Sequence, residues 1–499
     1  MRRLIAVSAR LRHVATARLV RAVALACLVG GFGAAAAQDG GRLTLDPDRG
    51  VVGSRVTATA SGLTADTAVQ LVWETADAAW NVDGPAFLGV TAELVREVVA
   101  EGRTDADGAV RFGFEVPEDY GYIHNLFVVA DGEDVARNGF AVVPELTVTP
   151  ASGPVGSDVT VRLTGIGYRF WESVWHLLYD GAHTGWLSAM TTNGTAEITI
   201  PATGEPGLHT LQILSGAHPV PYLNQQQAPI FKPQIPTVLG ATFEVTDGPP
   251  VPAPAAAGQG LPRVEGSAPT GSGPALGLSH RSGPVGSELE IRGAGFPPGA
   301  EVALSWTAVR GNRVSGGGWD EVELPLANAV ADQVGAFAAD VPTPDDLGGQ
   351  HRIRARLADG AEGEPAAEAS YVITPSVFDV QPAVVEPGGD ITVTLKGVGW
   401  TETANIYTLL LDNGYLGYGC GFNSQGDVTI YLKAPGREGM HYIELYPSIY
   451  QGVLSGPSAP SADSTANATY LQLPMLNHVD HPGEELPAFR LSFEVRSGS

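Results

Sequence analysis

Cysteine is nearly absent from this chain: 499 residues contain two, Cys27 and Cys420. Cys27 lies in a segment that reads as removable, so the remaining chain has one thiol and no possible intrachain disulfide. Basic residues are also few, 29 against 54 acidic. A surface of that sign repels phosphate backbones and argues against nucleic acid as a partner. No apolar run reaches the ~20 residues that a spanning helix needs. Nucleophile elbows, phosphate-binding loops, dinucleotide fingerprints and His-Glu-x-x-His motifs do not occur. Acidic residues are spread throughout, so a glycosidase-type carboxylate pair stays open at this level. What is abundant is glycine (63) and proline (37), within a composition that is 44% hydrophobic. That mixture suits many short strands joined by turns.

Residues 1–37 carry six arginines and no acid, then an apolar stretch from Ala22 to Val29, then Ala34 to Ala37. A basic start, a short apolar core and small residues before a cut describe a secretory signal, with cleavage expected after Ala37. A membrane anchor would need a longer apolar run. A lipoprotein signal at Cys27 fits less well, because Ala24 stands three residues before it and apolar residues continue beyond it. Loss of those six arginines takes the net charge from −25 to −31. The expected location is outside the cytoplasm: extracellular, cell-surface or periplasmic.

One phrase opens four successive segments: Leu43-Thr-Leu-Asp-Pro…Val52-Gly-Ser, Leu146-Thr-Val-Thr-Pro…Val155-Gly-Ser, Leu276-Gly-Leu-Ser-His…Val285-Gly-Ser and Phe378-Asp-Val-Gln-Pro…Pro387-Gly-Gly. Each leads into an alternating strand such as Asp158-Val-Thr-Val-Arg-Leu, and then a glycine pair or its relic. The second segment aligns with the fourth without a gap from Leu146 to His209, and the first with the third through Trp73 and Trp306. The order is therefore A-B-A′-B′, a duplicated pair. The expected layout is 1–37 signal, 41–144 A, 145–247 B, 248–275 linker, 276–375 A′ and 376–496 B′. The Pro/Ala/Gly/Ser-rich linker reads as a flexible to semi-extended tether. The joins at Val142–Glu145 and Thr374–Ser376 are short enough to fix the angle within each pair.

Each segment has about 100 residues and turn signals every 8–12, the pattern of a two-sheet sandwich. Asp412-Asn-Gly414 predicts a tight hairpin. Ala92 to Ala100 has helix-compatible spacing, but its valines favour strand. The fold class expected is all-β, four tandem immunoglobulin-like β-sandwiches. The stretch Ser282-Gly-Pro-Val-Gly-Ser…Ile291-Arg-Gly-Ala-Gly-Phe-Pro-Pro-Gly-Ala resembles the opening of bacterial immunoglobulin-like domains of the IPT/TIG type. The B-type segments resemble divergent relatives. The resemblance implies a spacer or binding module in an exported surface protein, with no enzyme activity and no cofactor, and it specifies fold better than role.

His124, His209, His351 and His441 hold equivalent places, one per segment. A metal site needs ligands that converge, so a structural role is expected, with each histidine bonding the turn before its strand. His478-Val-Asp480-His481 with Glu484 and Glu485 gathers ligand types without a zinc spacing, and reads as a solvated loop. Asp46-Pro-Asp48 and Asp105-Ala-Asp107-Gly108 fall short of a calcium loop and read as turns. Cys420 reads as a small buried residue. Aromatics concentrate in the B-type segments, which also carry long excursions, about 215–239 and 447–487. Long loops and exposed rings bind partners. The candidate partner-binding residues are Trp171, Trp186, Tyr222, Phe231, Tyr415, Tyr418 and Tyr450. The partner expected is a protein or polysaccharide at the cell exterior.

Overall fold

The computed structural model describes residues 41–498 except 170–171, 217–220, 228–234, 313–317, 361–366 and 451–473. The expected signal segment, Trp171 and Phe231 lie outside the described residues.

The alternation read from sequence produces one strand plan four times. In A, Arg42–Asp46, Arg55–Ser61 and Val110–Glu115 form a three-stranded sheet in that order. Arg49–Gly50, Glu133–Val142, Tyr122–Ala130, Ala68–Asp83 and Ala86–Arg103 form a five-stranded sheet in that spatial order. The same three-plus-five order recurs in B, A′ and B′. Splitting the first strand between both sheets and crossing over before the sixth gives an immunoglobulin-like sandwich. Period-two patterning builds the layers: in Arg55–Ser61, Val56, Ala58 and Ala60 are buried while Arg55, Thr59 and Ser61 are exposed. Ala92–Ala100 is strand, inside Ala86–Arg103.

Local chemistry fixes the corners. Gly62, Gly165, Gly295 and Gly397 hold the same place in the four sandwiches with φ between +69° and +77°, where a Cβ is strained. Asp412 and Asn413 adopt φ of 48° and 64°, and Leu411 pairs with Gly414, as the hairpin signal required. Each equivalent histidine closes the turn before its strand. Nε2 of His124, His209, His351 and His441 meets the carbonyls of Tyr120, Glu205, Leu347 and Arg437, four residues back, at 2.7–2.9 Å.

Each sandwich has its own buried core, centred on Trp73, Trp175, Trp306 and Tyr407 in chain order. The cores are not fully separate: that of B is completed by Tyr122 of A and by Leu410, Tyr446 and Leu476 of B′. Within each pair the sandwiches touch backbone to backbone. Gly121 N–H donates to the Ile166 carbonyl, and Gly348 N–H to that of Val398, both at 3.0 Å.

The linker is not a free tether. Val251 N–H donates to the Val155 carbonyl, Ala253 N–H to Ser492 Oγ and Ala256 N–H to Asp379 Oδ1. Gln259 clamps the backbone of Arg490, receiving its N–H at 2.8 Å and donating to its carbonyl at 2.6 Å. Ala256 is buried in the core of B′. Composition alone misreads this segment, because the groups that hold it come from strands distant in sequence.

Candidate functional site: the junction face of B′

The outward face of the five-stranded sheet of B′ takes every second residue of its strands. Register places Tyr418 beside Thr408 and Tyr446, and Tyr415 beside Leu410, Glu444 and Arg490. The neighbouring residues Tyr407 and Leu409 point into the core of B′. This face meets B, so the row splits into a covered middle and two ends.

At one end, Tyr418 is 45% exposed and stacks with Tyr450, ring centroids 5.9 Å apart at 26°. Tyr415 meets His183 of B edge-on at 6.1 Å. His183 Nε2 lies 3.2 Å from His176 Nδ1, and burial lowers the His183 pKa to about 4. Stacked, half-exposed tyrosines offer a flat apolar surface rimmed by hydroxyls, which suits a sugar ring or an apolar side chain.

At the other end lies a cavity of 330 Å³ lined by Glu197, Glu444, Tyr446, Asn477, His478 and Arg490, among others. Glu444 is buried. Its Oε1 accepts from Tyr446 Oη at 3.1 Å and from Arg490 Nε at 3.2 Å, while Oε2 has no partner among the described residues. Burial raises the Glu444 pKa and the Arg490 charge opposes that rise. Arg490 reaches onward to Asp158 Oδ1 at 2.6 Å and the Thr199 carbonyl at 2.9 Å, both in B. Asn477 donates to the Ser188 carbonyl at 2.8 Å, and its Oδ1 is unmatched among the described residues.

Between these ends, the segment expected to be a solvated loop is a buried lock. Asp480 is fully buried and accepts from Met190 N–H at 2.9 Å, Thr191 N–H at 2.5 Å and Thr191 Oγ1 at 2.7 Å. His481 is 9% exposed, and its pKa falls to about 3 through burial first and His478 second. The sequence reading missed this because the donors to Asp480 sit some 290 residues earlier. The carboxylate serves the turn of B at Met190 and Thr191, and among the described residues no group of three metal-ligand side chains converges.

The other candidates scatter. Trp186, expected at the surface, is 1% exposed, packed with Phe87, Val174, Ile449 and Met475, and donates to the Ser173 carbonyl. Its strand edge is covered, since Trp186 N–H donates to the Pro474 carbonyl and Leu476 N–H to that of Trp186. Tyr222 is 38% exposed on the first excursion and does not join the others. Cys420 is exposed rather than buried, at the end of the edge strand Gly414–Cys420. Asp105 forms a plain turn, its Oδ1 accepting from Asp107 and Ala109 N–H. Among the described residues no helix is long and apolar enough to cross a membrane.

No protein-family model matches the chain, and no curated protein matches it. Solved structures with partial likeness include the ICAM-5 D1–D4 ectodomain fragment, at 13% identity over 91% of this chain and 100% of that one, TM-score 0.18. The Escherichia coli adhesin FdeC matches at 14% identity over 66% of this chain and 96% of that one, TM-score 0.15. Salmonella alpha-2-macroglobulin matches at 12% identity over 90% of this chain, TM-score 0.18, and this chain spans 30% of its length. The sandwich assignment stands on the strand order of this chain itself.

Proposed function

We propose that this protein is an exported, non-catalytic scaffold of the adhesion type that binds protein or polysaccharide at the cell exterior. The observation that carries the reading is the interlock of three sandwiches. The tip of the long A hairpin reaches B′, where Phe87 N–H donates to Glu402 Oε2 and Glu402 N–H to the Pro85 carbonyl. Asp480 of B′ in turn grips B. Sandwiches locked this way present fixed surfaces rather than swinging beads, and pre-ordered surfaces bind without a large ordering cost. The arginine-rich leader and the acidic surface support export and solubility.

The test is fractionation of producing cells, with pull-down of cell-envelope material by the mature chain and by a form lacking residues 216–238. Recovery outside the cytoplasm with bound envelope material supports the reading, and cytoplasmic retention defeats it. Equal recovery of partners by both forms removes the first excursion from the binding surface. A second reading, polysaccharide binding, is favoured by the exposed Tyr418–Tyr450 stack. It requires Tyr418→Ala to lose binding to envelope polysaccharide while the fold persists.

A further inference from the structure

The five-stranded sheets all end on the same kind of strand, yet these four edges are treated differently. In B and B′ the edges Ala182–Leu187 and Gly414–Cys420 lie against each other, and the first also bonds Pro474–Leu476. The edges of A and A′, Ala86–Arg103 and Gly318–Val330, pair with no further strand among the described residues.

Only one of these two is protected. Aligning Trp73 with Trp306 places Glu97 opposite the first and Leu324 opposite the second, so Val98 in A corresponds to Pro325 in A′. Proline cannot donate to an added strand and blunts an edge. In A′ the acidic side chains are also neutralised from within, Glu321 by Arg352 and Glu323 by Arg354 and Arg356. In A, residues 91–98 are exposed one after another, with Leu94 at 65%, Val98 at 50% and Val95 at 36%. Glu93 and Glu97 flank Val95 on one face, since Asp77, Thr75 and Trp73 oppose these three, and among the described residues neither glutamate is in an ion pair. Leu94, Arg96 and Val98 lie on the other face, where Arg96 is turned back onto Glu74, Asp134 and the Phe127 ring.

This edge is also anchored at both ends. The A hairpin pairs with Tyr122–Ala130 only from Gln70 to Trp73, and beyond that runs as a ribbon to its anchor at Trp80 and Phe87. A long, fixed, unprotected edge is a template for strand addition.

We infer that the outer edge of Ala86–Arg103 captures an extended protein segment in which basic and apolar residues alternate. The basic side chains lie along Glu93 and Glu97, and the apolar ones along Leu94 and Val98. This rests on the binding-protein reading above and names one partner class for it.

The test uses the mature chain and two labelled decapeptides, one alternating Lys and Val and one alternating Glu and Val, followed by fluorescence anisotropy. The Lys–Val peptide is expected to bind at least tenfold more tightly. Val98→Pro installs the residue that A′ accommodates at the same place, and with an unchanged circular dichroism spectrum binding should fall at least tenfold. Glu93→Lys with Glu97→Lys should reverse the preference. No binding by the parent chain, or unchanged binding in Val98→Pro, or a preference indifferent to the charge reversal, overturns the inference. Envelope recovery by the parent chain is a separate readout, so the strand-capture inference can fall while the scaffold reading stands.

Discussion

Trp80 donates its indole N–H to the backbone carbonyl of Asp480 at 2.5 Å, closing a contact between residues 400 positions apart. The same Asp480 holds three donors of B on its side chain. One residue of B′ therefore ties down both A and B, and these three sandwiches are not independent in stability.

Removing that carboxylate has a local and a remote consequence. Asp480→Ala leaves the Met190 and Thr191 N–H groups without an acceptor in a buried setting, at a cost of about 2–4 kcal/mol. Urea unfolding should move to lower midpoint, and amide exchange at Met190 and Thr191 should rise. Unchanged exchange at those two amides would show that B′ does not hold this end of B.

Acid should loosen the same junction. The folded pKa of His481 lies near 3 and that of His183 near 4, both below the ordinary 6.5. A histidine depressed in the fold contributes nothing above pH 6.5, because both states are then neutral. As pH falls below 6.5 the unfolded chain takes the proton first, so stability declines down to the folded pKa. His481 alone accounts for roughly 3–5 kcal/mol by that linkage. Asp480, Glu444 and Glu484 have raised values and act in the opposite sense, gaining relative stability as they protonate in the fold. The expected result is a melting temperature that drops between pH 6.5 and about 4, with a shallower drop in His481→Gln. An unchanged profile in His481→Gln would contradict the buried placement of that ring.

The angle within each pair should depend on a missing Cβ. A methyl on Gly121 would lie 1.8 Å from the Gly165 oxygen, and on Gly348 1.9 Å from the Gly397 oxygen. Overpacking of this kind costs about 1–3 kcal/mol when the backbone yields. Gly121→Ala should separate A from B without unfolding either, seen as a larger radius of gyration by small-angle scattering and faster proteolysis at Val142–Glu145. Gly348→Ala should do the same at Thr374–Ser376.

The sandwich plan was legible because its determinants are local. Gly62, Gly165, Gly295 and Gly397 mark left-handed corners, Asp412-Asn-Gly marks a hairpin, and His124 and its three equivalents bond four residues back. None of these needs knowledge of another sandwich. The junction was illegible for the converse reason. Trp186 reads as a surface ring until Met475 and Phe87 cover it, and the loop at Asp480 reads as solvated until Met190 and Thr191 arrive. The linker likewise owes its place to Ser492, Asp379 and Arg490. The contrast between Val98 and Pro325 was present in the sequence, but its meaning required the register that sets both beside the Trp73/Trp306 pair.

Arg490 offers the sharpest dissection of the B–B′ contact, because it serves both sides. In B′ it satisfies the buried Glu444, and toward B it meets Asp158 and the Thr199 carbonyl. Arg490→Met keeps the aliphatic bulk but strands Glu444, whose carboxyl already sits above its ordinary pKa through burial. Breaking a buried pair from one side costs about 3–5 kcal/mol. Adding Glu444→Gln removes the stranded charge and should recover a large part of that loss, while the contact to Asp158 stays broken. The double variant is thus expected to be nearly as stable as the parent in each sandwich yet weaker in B–B′ docking, read as faster exchange at the Thr199 and Leu410 amides. If the double variant is no more stable than Arg490→Met alone, Glu444 is not what Arg490 protects.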